Sequence, residues 1–329
     1  MPRAQVIHEQ GLPQVMHWQE WPVSDPGPGE VRIRHTAVGV NFADTYHRAG
    51  ISHPWPVPPC PCVIGFEAVG RVEDVGPDVT DFKAGDRVAY GLPPLGSYSE
   101  ERNYPVDKLL HLPEQLNDKQ VAALLMKGMT AQYLLHRTYN VQPGDTILVH
   151  AAAGGMGLIL CQWAKALGAR IVGTVSTDEK AEAAHAAGCD FPVVRSRENF
   201  VAKVREVTDG EGAAVVYEAI GKDTLQQSLD CLRLMGVCAA YGHVSGPPEP
   251  VDVIQDLGAR GSLFLTRPAI MHYLAKRSDL EWAAHDLFKA IADGILVANI
   301  NYEYELKDAV QAHKAIESGA TLGATVLIP

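Results

Sequence analysis

The sequence predicts an α/β protein in which a doubly wound parallel sheet is joined to a second, β-rich domain. Three observations point there. The apolar run Ile147, Leu148 and Val149 is followed by very small residues over 151–157, then by Leu160, Trp163, Ala164 and Leu167 at helical spacing. Strand-like and helix-like segments continue to alternate from there through residue 241, the pattern of a doubly wound sheet. Residues 5–112 have another texture: short alternating segments broken by many Pro and Gly.

Taken in order, 31–35 and 68–72 read as short strands, and 85–88 follows a turn signal as a strand of a small, partly open barrel would. Near Gln120 the texture becomes helical, with 121–125 leading into Lys127, Gly128, Met129 and Thr130. The run 146–149 is the first strand of the middle domain, and Gly168 is placed to end the helix after it. A second strand over 170–175 and a second helix over 178–188, N-capped by Asp178, complete a βαβ unit. Then come a strand over 214–219, a helix through 225–234 and a strand over 237–241. Helical stretches at 280–293 and 306–318 flank 296–304, and 324–328 is a final strand that returns to the first domain. The domains expected are 1–126 with 267–329, and 127–266 as an insertion between them.

The small-residue stretch has the spacing Ala152-x-Gly154-x-x-Gly157, one methyl group away from the dinucleotide fingerprint. Small residues let the backbone turn tightly, approach a pyrophosphate and pack the helix flat on the strand. The free N–H groups and the positive end of the helix dipole then hold the phosphates. A dinucleotide is the expected ligand. An NAD enzyme usually places Asp or Glu at the end of the second strand, about 20 residues past the glycines, on the ribose diol. Here that place holds Thr174, Val175, Ser176 and Thr177, with Lys180 close behind. Hydroxyls and a cation suit a 2′-phosphate, so NADP(H) is favoured over NAD(H).

A formal net charge of -11 gives no electrostatic reason to expect nucleic acid or an anionic membrane as partner. No stretch approaches the length of a membrane span, and residues 1–10 lack the apolar core of a secretory signal. The six cysteines are scattered, and only Cys60 and Cys62 are close, without partners at metal-site spacing. A cytoplasmic protein with reduced thiols is expected. There is no Ser-His-Asp arrangement, paired-carboxylate motif or nucleophilic cysteine motif, so solvent is left as the source of any proton.

Several motifs in order carry a resemblance: 41–50 (Asn41-Phe42-Ala43-Asp44-Thr45-Tyr46-His47-Arg48-Ala49-Gly50), 84–88, 127–130, 150–157 and 261–268. The chain resembles, nearly end to end, the zinc-independent quinone oxidoreductases of the medium-chain dehydrogenase/reductase superfamily, relatives of zeta-crystallin. The resemblance implies a Rossmann-type NADPH-binding domain and a β-rich GroES-like catalytic domain. Where zinc dehydrogenases of the superfamily carry a ligand Cys and a ligand His, this chain has Asn41 and Phe66, and the four-Cys structural zinc loop is absent. No metal is expected. Without zinc to polarise a carbonyl, a quinone is a better hydride acceptor than a simple aldehyde, because its reduced product is aromatic.

By the same resemblance Asn41 and Tyr46 flank the nicotinamide, Asn41 orienting substrate or ribose and Tyr46 lining the quinone site. Lys127 and Thr130 reach the nicotinamide ribose and nearby phosphate. Ala153, Gly154, Gly155, Met156 and Gly157 hold the pyrophosphate, and Ser176, Thr177 and Lys180 face the 2′-phosphate. Tyr241 and Gly242, with Phe264, Leu265 and Thr266, close over the cofactor from the other side. The chain departs from close relatives at Arg195, where Tyr is frequent and where Arg offers a phosphate a bidentate contact or is a surface residue. It also lacks the basic residues common near Glu317 and Ser318. The proline-rich stretch 51–59 with Trp55 reads as a rigid loop near the substrate entrance. NADPH-dependent quinone reduction is the first reading, and reduction of α,β-unsaturated carbonyls the alternative. A non-catalytic NADPH-binding structural or RNA-associated protein is the reading of a different class, and a homodimer is the expected assembly.

Overall fold

A computed structural model describes residues 1–51 and 56–329, so the loop expected around Trp55 lies partly outside the described residues. The chain divides into two units, Met1–Met129 with Leu274–Pro329, and Thr130–Tyr273. The division falls within one helix, Asp118–Tyr133.

The second unit is built on a six-stranded parallel sheet among the described residues. Its spatial order is Phe191–Val194, Arg170–Val175, Thr146–Val149, Ala213–Glu218, Leu232–Ala240 and Phe264–Thr266. Numbered in chain order this is 3-2-1-4-5-6, the Rossmann order, with its switch point beside the first strand. Every residue of Thr146–Val149 and Ala213–Glu218 is buried, which explains their mostly apolar character. Helices Gly155–Ala166, Asp178–Ala186, Phe200–Val207 and Leu225–Asp230 alternate with the strands. Phe200, Val204, Leu225 and Leu229 reach the core of Leu148, Val172, Val193 and Val216.

Two local expectations are corrected here. The helix expected over 225–234 stops at Asp230, and Leu232–Ala240 is already strand. Leu225, Leu229 and Leu232 mimic one helical face. The positive φ of 56° at Met235 instead bulges the chain out of the ladder, between the pairs Ala213↔Leu232 and Val215↔Val237. The N-cap of the next-to-first helix is Thr177, not Asp178. Thr177 has extended backbone angles and its hydroxyl accepts from the Lys180 N–H at 3.3 Å, while Asp178 is the first helical residue and pairs with Arg197 at 2.8 Å.

The first unit is the β-rich GroES-like fold. Its long strand Glu30–Gly39 pairs antiparallel with Glu67–Val75 along one edge. Along its other edge it pairs with Glu101–Pro105 near its start and with the chain-terminal Ala324–Ile328 near its end. Arg87–Tyr90 and Leu110–His111 extend the sheet on one side, and Ile300–Glu305 on the other. A smaller sheet of Met16–Glu20, Arg3–Ile7 and Cys62–Val63 covers it. The core between them holds Val6, Ile33, Ile64, Tyr98 and Leu109, and helix Ala309–Glu317 contributes Ala309 and Ala312.

Gly173 is closely packed within the second unit. A Cβ there would lie 2.6 Å from Cys189 Sγ and 2.7 Å from Ala152 Cβ. Gly173→Ala is therefore expected to lower stability by about 1–3 kcal/mol, seen as a reduced melting temperature; an unchanged melting temperature would contradict this packing.

Candidate active site

The phosphate-sized turn is set by sterics. Ala151 adopts a left-handed φ of 51°, and Ala152 N–H returns to Thr174 O at 2.9 Å, tying the turn to the second strand. Helix Gly155–Ala166 begins with Gly154 as N-cap, and its first return bond runs from Leu158 N–H to Gly154 O. The N–H groups of Gly155, Met156 and Gly157 precede that bond and belong to the first turn, which lacks intrahelical acceptors. A Cβ on Gly157 would collide with the Ala151 carbonyl oxygen and lie 2.7 Å from Ala152 C and Cα. Ala153 and Gly157 are buried and Gly154, Gly155 and Met156 half-buried, so the turn is a backbone surface with almost no side chain on it. These residues fit a pyrophosphate.

Beside it, strands Arg170–Val175 and Phe191–Val194 end in register, Val175↔Val194. Ser176 and Arg195 therefore leave the sheet side by side, both exposed, and Arg195 N–H donates to Val175 O at 3.1 Å. Thr177 is exposed and Lys180 half-buried one turn into the helix. The structure thus brings Ser176, Thr177, Lys180 and Arg195 to one end of the sheet, where two hydroxyls and two cations fit a phosphate monoester. Tyr241 and Gly242 follow strand Leu232–Ala240, and Leu265 and Thr266 end the neighbouring strand, paired with Cys238 and Ala239. Phe264 precedes them on the same strand, paired with Val237, and is 60% exposed.

Beneath the turn lies a buried polar cluster that the sequence did not disclose. His150 Nδ1 meets Thr174 Oγ1 at 2.8 Å, and Nε2 meets Ser228 Oγ at 2.9 Å and Glu218 at 3.4 Å. Glu218 accepts from Ile220 N–H at 2.6 Å, Gly221 N–H at 3.1 Å, the Thr224 hydroxyl at 2.9 Å and the Ser228 hydroxyl. Burial pushes Glu218 up, but His150, Ser228 and the two backbone donors outweigh it and hold the carboxyl below its ordinary value. Burial lowers His150, against the opposing pull of Glu218. Arg267, just past the sixth strand and 3.4 Å from His243 Nδ1, is another group that sequence reading passed over. Its signal was a cation at the carboxyl end of a parallel strand, where open α/β sheets bind ligands.

In the first unit the organising group is Glu67, fully buried. Its Oε1 accepts from Asn41 Nδ2 at 2.8 Å and Lys127 Nζ at 3.1 Å, and its Oε2 from Met126 N–H at 2.6 Å. Asn41 and Lys127, far apart in sequence, thus share one oxygen. Gly39 allows the approach, since a Cβ there would overlap both Glu67 Oε1 and the Ala122 carbonyl. Asn41 is the N-cap of helix Phe42–Ala49, and Tyr46, half-buried one turn on, packs edge-on against Phe42 with ring centroids 5.4 Å apart. Thr130 is half-buried on the same helix as Lys127. Phe66 is fully buried against the His47 ring, and Cys60 and Cys62 are half-buried thiols. Among the described residues no three His, Cys, Asp or Glu side chains are grouped as a metal-ligand set.

A Rossmann unit with a bare phosphate turn, carried with a GroES-like unit, defines a nucleotide-dependent dehydrogenase/reductase of the medium-chain class. The zinc-binding dehydrogenase family model matches residues 155–289, and the alcohol dehydrogenase GroES-like domain model matches residues 27–146. A 2-haloacrylate reductase from a Burkholderia species is 54% identical over 100% of this chain and 99% of its own length. Quinone oxidoreductase 1 of Escherichia coli K12 is 42% identical, with 98% of each chain covered. The crystal structure of Escherichia coli quinone oxidoreductase complexed with NADPH superposes with a TM-score of 0.96 at 41% identity, covering 100% of both chains. The chain belongs to the zinc-independent quinone oxidoreductase family of the medium-chain dehydrogenase/reductase superfamily.

Removing the Glu218 carboxylate would leave several buried donors without an acceptor. Glu218→Ala is expected to lower unfolding stability by about 3 kcal/mol. Because the carboxyl is held below its ordinary value, its contribution is present above the ordinary Glu range and lost as pH falls through the lowered value. Thermal unfolding against pH should thus show the wild type and variant converging on the acid side; parallel curves would contradict the cluster's role.

Proposed function

We propose that this chain is an NADPH-dependent oxidoreductase that passes reducing equivalents from the nicotinamide to a quinone without a metal. The observation that carries this reading is the phosphate turn whose neighbouring strand ends present Ser176, Thr177, Lys180 and Arg195 in place of a ribose-binding carboxylate. Ala153, Gly154, Gly155, Met156 and Gly157 hold the pyrophosphate, and Tyr241, Gly242, Leu265 and Thr266 border the cofactor. The Met1–Met129 and Leu274–Pro329 unit is the catalytic domain, and Thr130–Tyr273 binds the cofactor.

The reduced nicotinamide supplies a hydride, so that NADPH, quinone and one proton yield NADP⁺ and hydroquinone. Asn41 and Lys127, locked on Glu67, orient the reacting partners, Tyr46 one turn on from Asn41 lines the quinone, and Thr130 serves the cofactor. Holding two flat molecules in register and excluding water is most of what such a transfer requires. The metal-free reading rests on residue type: Asn41 and Phe66 stand where zinc relatives carry ligands.

A second reading has its own support. The 54% identical relative is a 2-haloacrylate reductase. An acrylate, like a quinone or enone, accepts hydride at an electron-poor carbon conjugated to a carbonyl, so one site geometry serves both.

The assembly is proposed to be a homodimer. Phe264–Thr266 is an edge strand, and Phe264, Leu234, Met235, Val253 and Ile254 around it are exposed apolar side chains. Leu263 N–H bonds to Leu257 O and Met235 N–H to Gly261 O, so these segments form one continuous face. A second copy pairing edge to edge would cover it. All six cysteines are free thiols, which suits the cytoplasm, and no described helix is long and apolar enough to cross a membrane.

Stopped-flow loss of NADPH absorbance with ortho-quinones, para-quinones, enones and 2-haloacrylates tests the reaction. Fast quinone turnover with NADPH preferred over NADH is expected, and Lys180→Ala should raise the KM for NADPH about tenfold while leaving NADH unchanged. Turnover with 2-haloacrylates alone would move the protein to the second reading, and NADPH binding without turnover to a non-catalytic one. For assembly, Phe264→Asp is expected to convert a dimer into a monomer in sedimentation; an unchanged mass would reject this interface.

A further inference from the structure

The helix that carries Asn41 and Tyr46 also carries two groups the functional reading leaves unused, Asp44 and Arg48. Both are almost fully buried. Asp44 Oδ2 accepts from Asn41 N–H at 2.8 Å and from the Tyr98 hydroxyl at 3.1 Å, while Oδ1 is buried with no hydrogen-bond partner. Tyr98 Oη lies 3.0 Å from His313 Nε2, and His313 Nδ1 lies 3.1 Å from Arg48 NH1. Arg48 is clamped by Glu317 at 2.8 and 2.7 Å.

This chain has only one consistent direction. A guanidinium donates and never accepts, so His313 Nδ1 must be the acceptor and the ring proton must lie on Nε2. That proton is donated to Tyr98 Oη, and the Tyr98 hydroxyl is left to donate to Asp44 Oδ2. Burial, with Arg48, holds His313 down to about 3, so the ring stays neutral. Two donors, the Asn41 N–H and the Tyr98 hydroxyl, thus meet on one oxygen of Asp44, with His313 and Arg48 fixing Tyr98 from behind. The other oxygen is left as the place for a proton.

We propose that Asp44 is a positioning residue for the reduction, acting in its protonated form through Asn41, with Tyr98, His313, Arg48 and Glu317 fixing its orientation. The proposal rests on the reductase reading above. Neutral Asp44 accepts the Asn41 N–H and sets the helix start without adding charge, so Glu67 remains the single anion holding the Asn41 amide and Lys127. The groups facing Asp44 are Glu67 on its strand, Lys127 on the Asp118–Tyr133 helix, and Tyr98, with His313 and Arg48 behind it. Burial first, then the Glu67 charge, push Asp44 up to about 7, against the Asn41 and Tyr98 hydrogen bonds and Lys127. Above that pH a second anion competes with Glu67 for Lys127, and the arrangement around Asn41 loosens.

The test is kcat/KM for a para-quinone against pH in the full chain, for wild type, Asp44→Asn, Asp44→Ala and Tyr98→Phe, with NADPH affinity followed by fluorescence. Wild-type kcat/KM is expected to fall about tenfold as pH rises from about 6 to about 9. Asp44→Asn, neutral at every pH and still able to accept both bonds, should keep activity within about twofold of the low-pH wild type and abolish the fall. Tyr98→Phe removes a donor that favours the carboxylate, so its fall should move to higher pH. Asp44→Ala should lose about tenfold in kcat at all pH with NADPH affinity unchanged; if it does not fold, Asp44→Asn decides. A wild-type fall retained in Asp44→Asn, or wild-type kcat in Asp44→Ala, overturns the proposal while leaving the reductase reading intact. A wild-type chain that binds NADPH and turns over no acceptor overturns both.

Discussion

A carboxylate removed from water must be surrounded by donors, and each unit of this protein is organised around one that is. Glu67 draws the Asn41 amide, the Lys127 ammonium and the Met126 N–H onto its two oxygens. Glu218 draws in two backbone N–H groups and the hydroxyls of Thr224 and Ser228, with His150 alongside. An anion so placed is costly if any partner leaves. The carboxylates therefore fix geometry: one sets the start of the Phe42–Ala49 helix against Lys127, the other supports the strand end that opens into the phosphate turn.

In the proposed reading, the first of these stands in for what zinc does in zinc-dependent members of the superfamily. Where a metal would gather a thiolate and an imidazole, this chain has an amide and a phenyl ring, and the gathering is done by Glu67. The phenyl ring of Phe66 is packed away against His47, and only Asn41 of the two positions stays polar. What is lost is a Lewis acid; what is kept is orientation. This matches acceptors that take hydride readily once aligned, quinones and conjugated alkenes alike.

Much of the fold was legible in the sequence because its causes are local. Strands buried on both faces favour runs rich in apolar and β-branched residues, and 146–149 and 170–175 have them. The turn was legible because only Gly at 157 avoids the Ala151 carbonyl. What failed had competing local solutions. Leu225, Leu229 and Leu232 suit one helical face, yet the left-handed Met235 shows that the last of them serves a strand. Thr177 and Asp178 are both good caps, and one residue of register chose between them. Of the site, Asn41 and Lys127 were nameable only through a resemblance, and their meeting on Glu67 depends on a fold-level approach across Gly39. His150 with Ser228 and Glu218, and Tyr98 with Asp44 and His313, were invisible for the same reason: such a buried polar cluster is defined by partners far off in the chain, 78 positions for His150 and Ser228 and 215 for Tyr98 and His313.

Thr177 has one further consequence. Its hydroxyl closes the first turn of the Asp178–Ala186 helix while standing in the row of groups proposed to meet the 2′-phosphate. Cofactor choice and helix integrity are therefore written in the same atom. A lineage drifting toward NADH could exchange Ser176 freely for an acid, since that side chain is exposed and holds nothing in place. At Thr177 only Ser, Asp or Asn would preserve the cap, so the evolutionary path between the two nicotinamides is narrower than the number of exposed positions suggests.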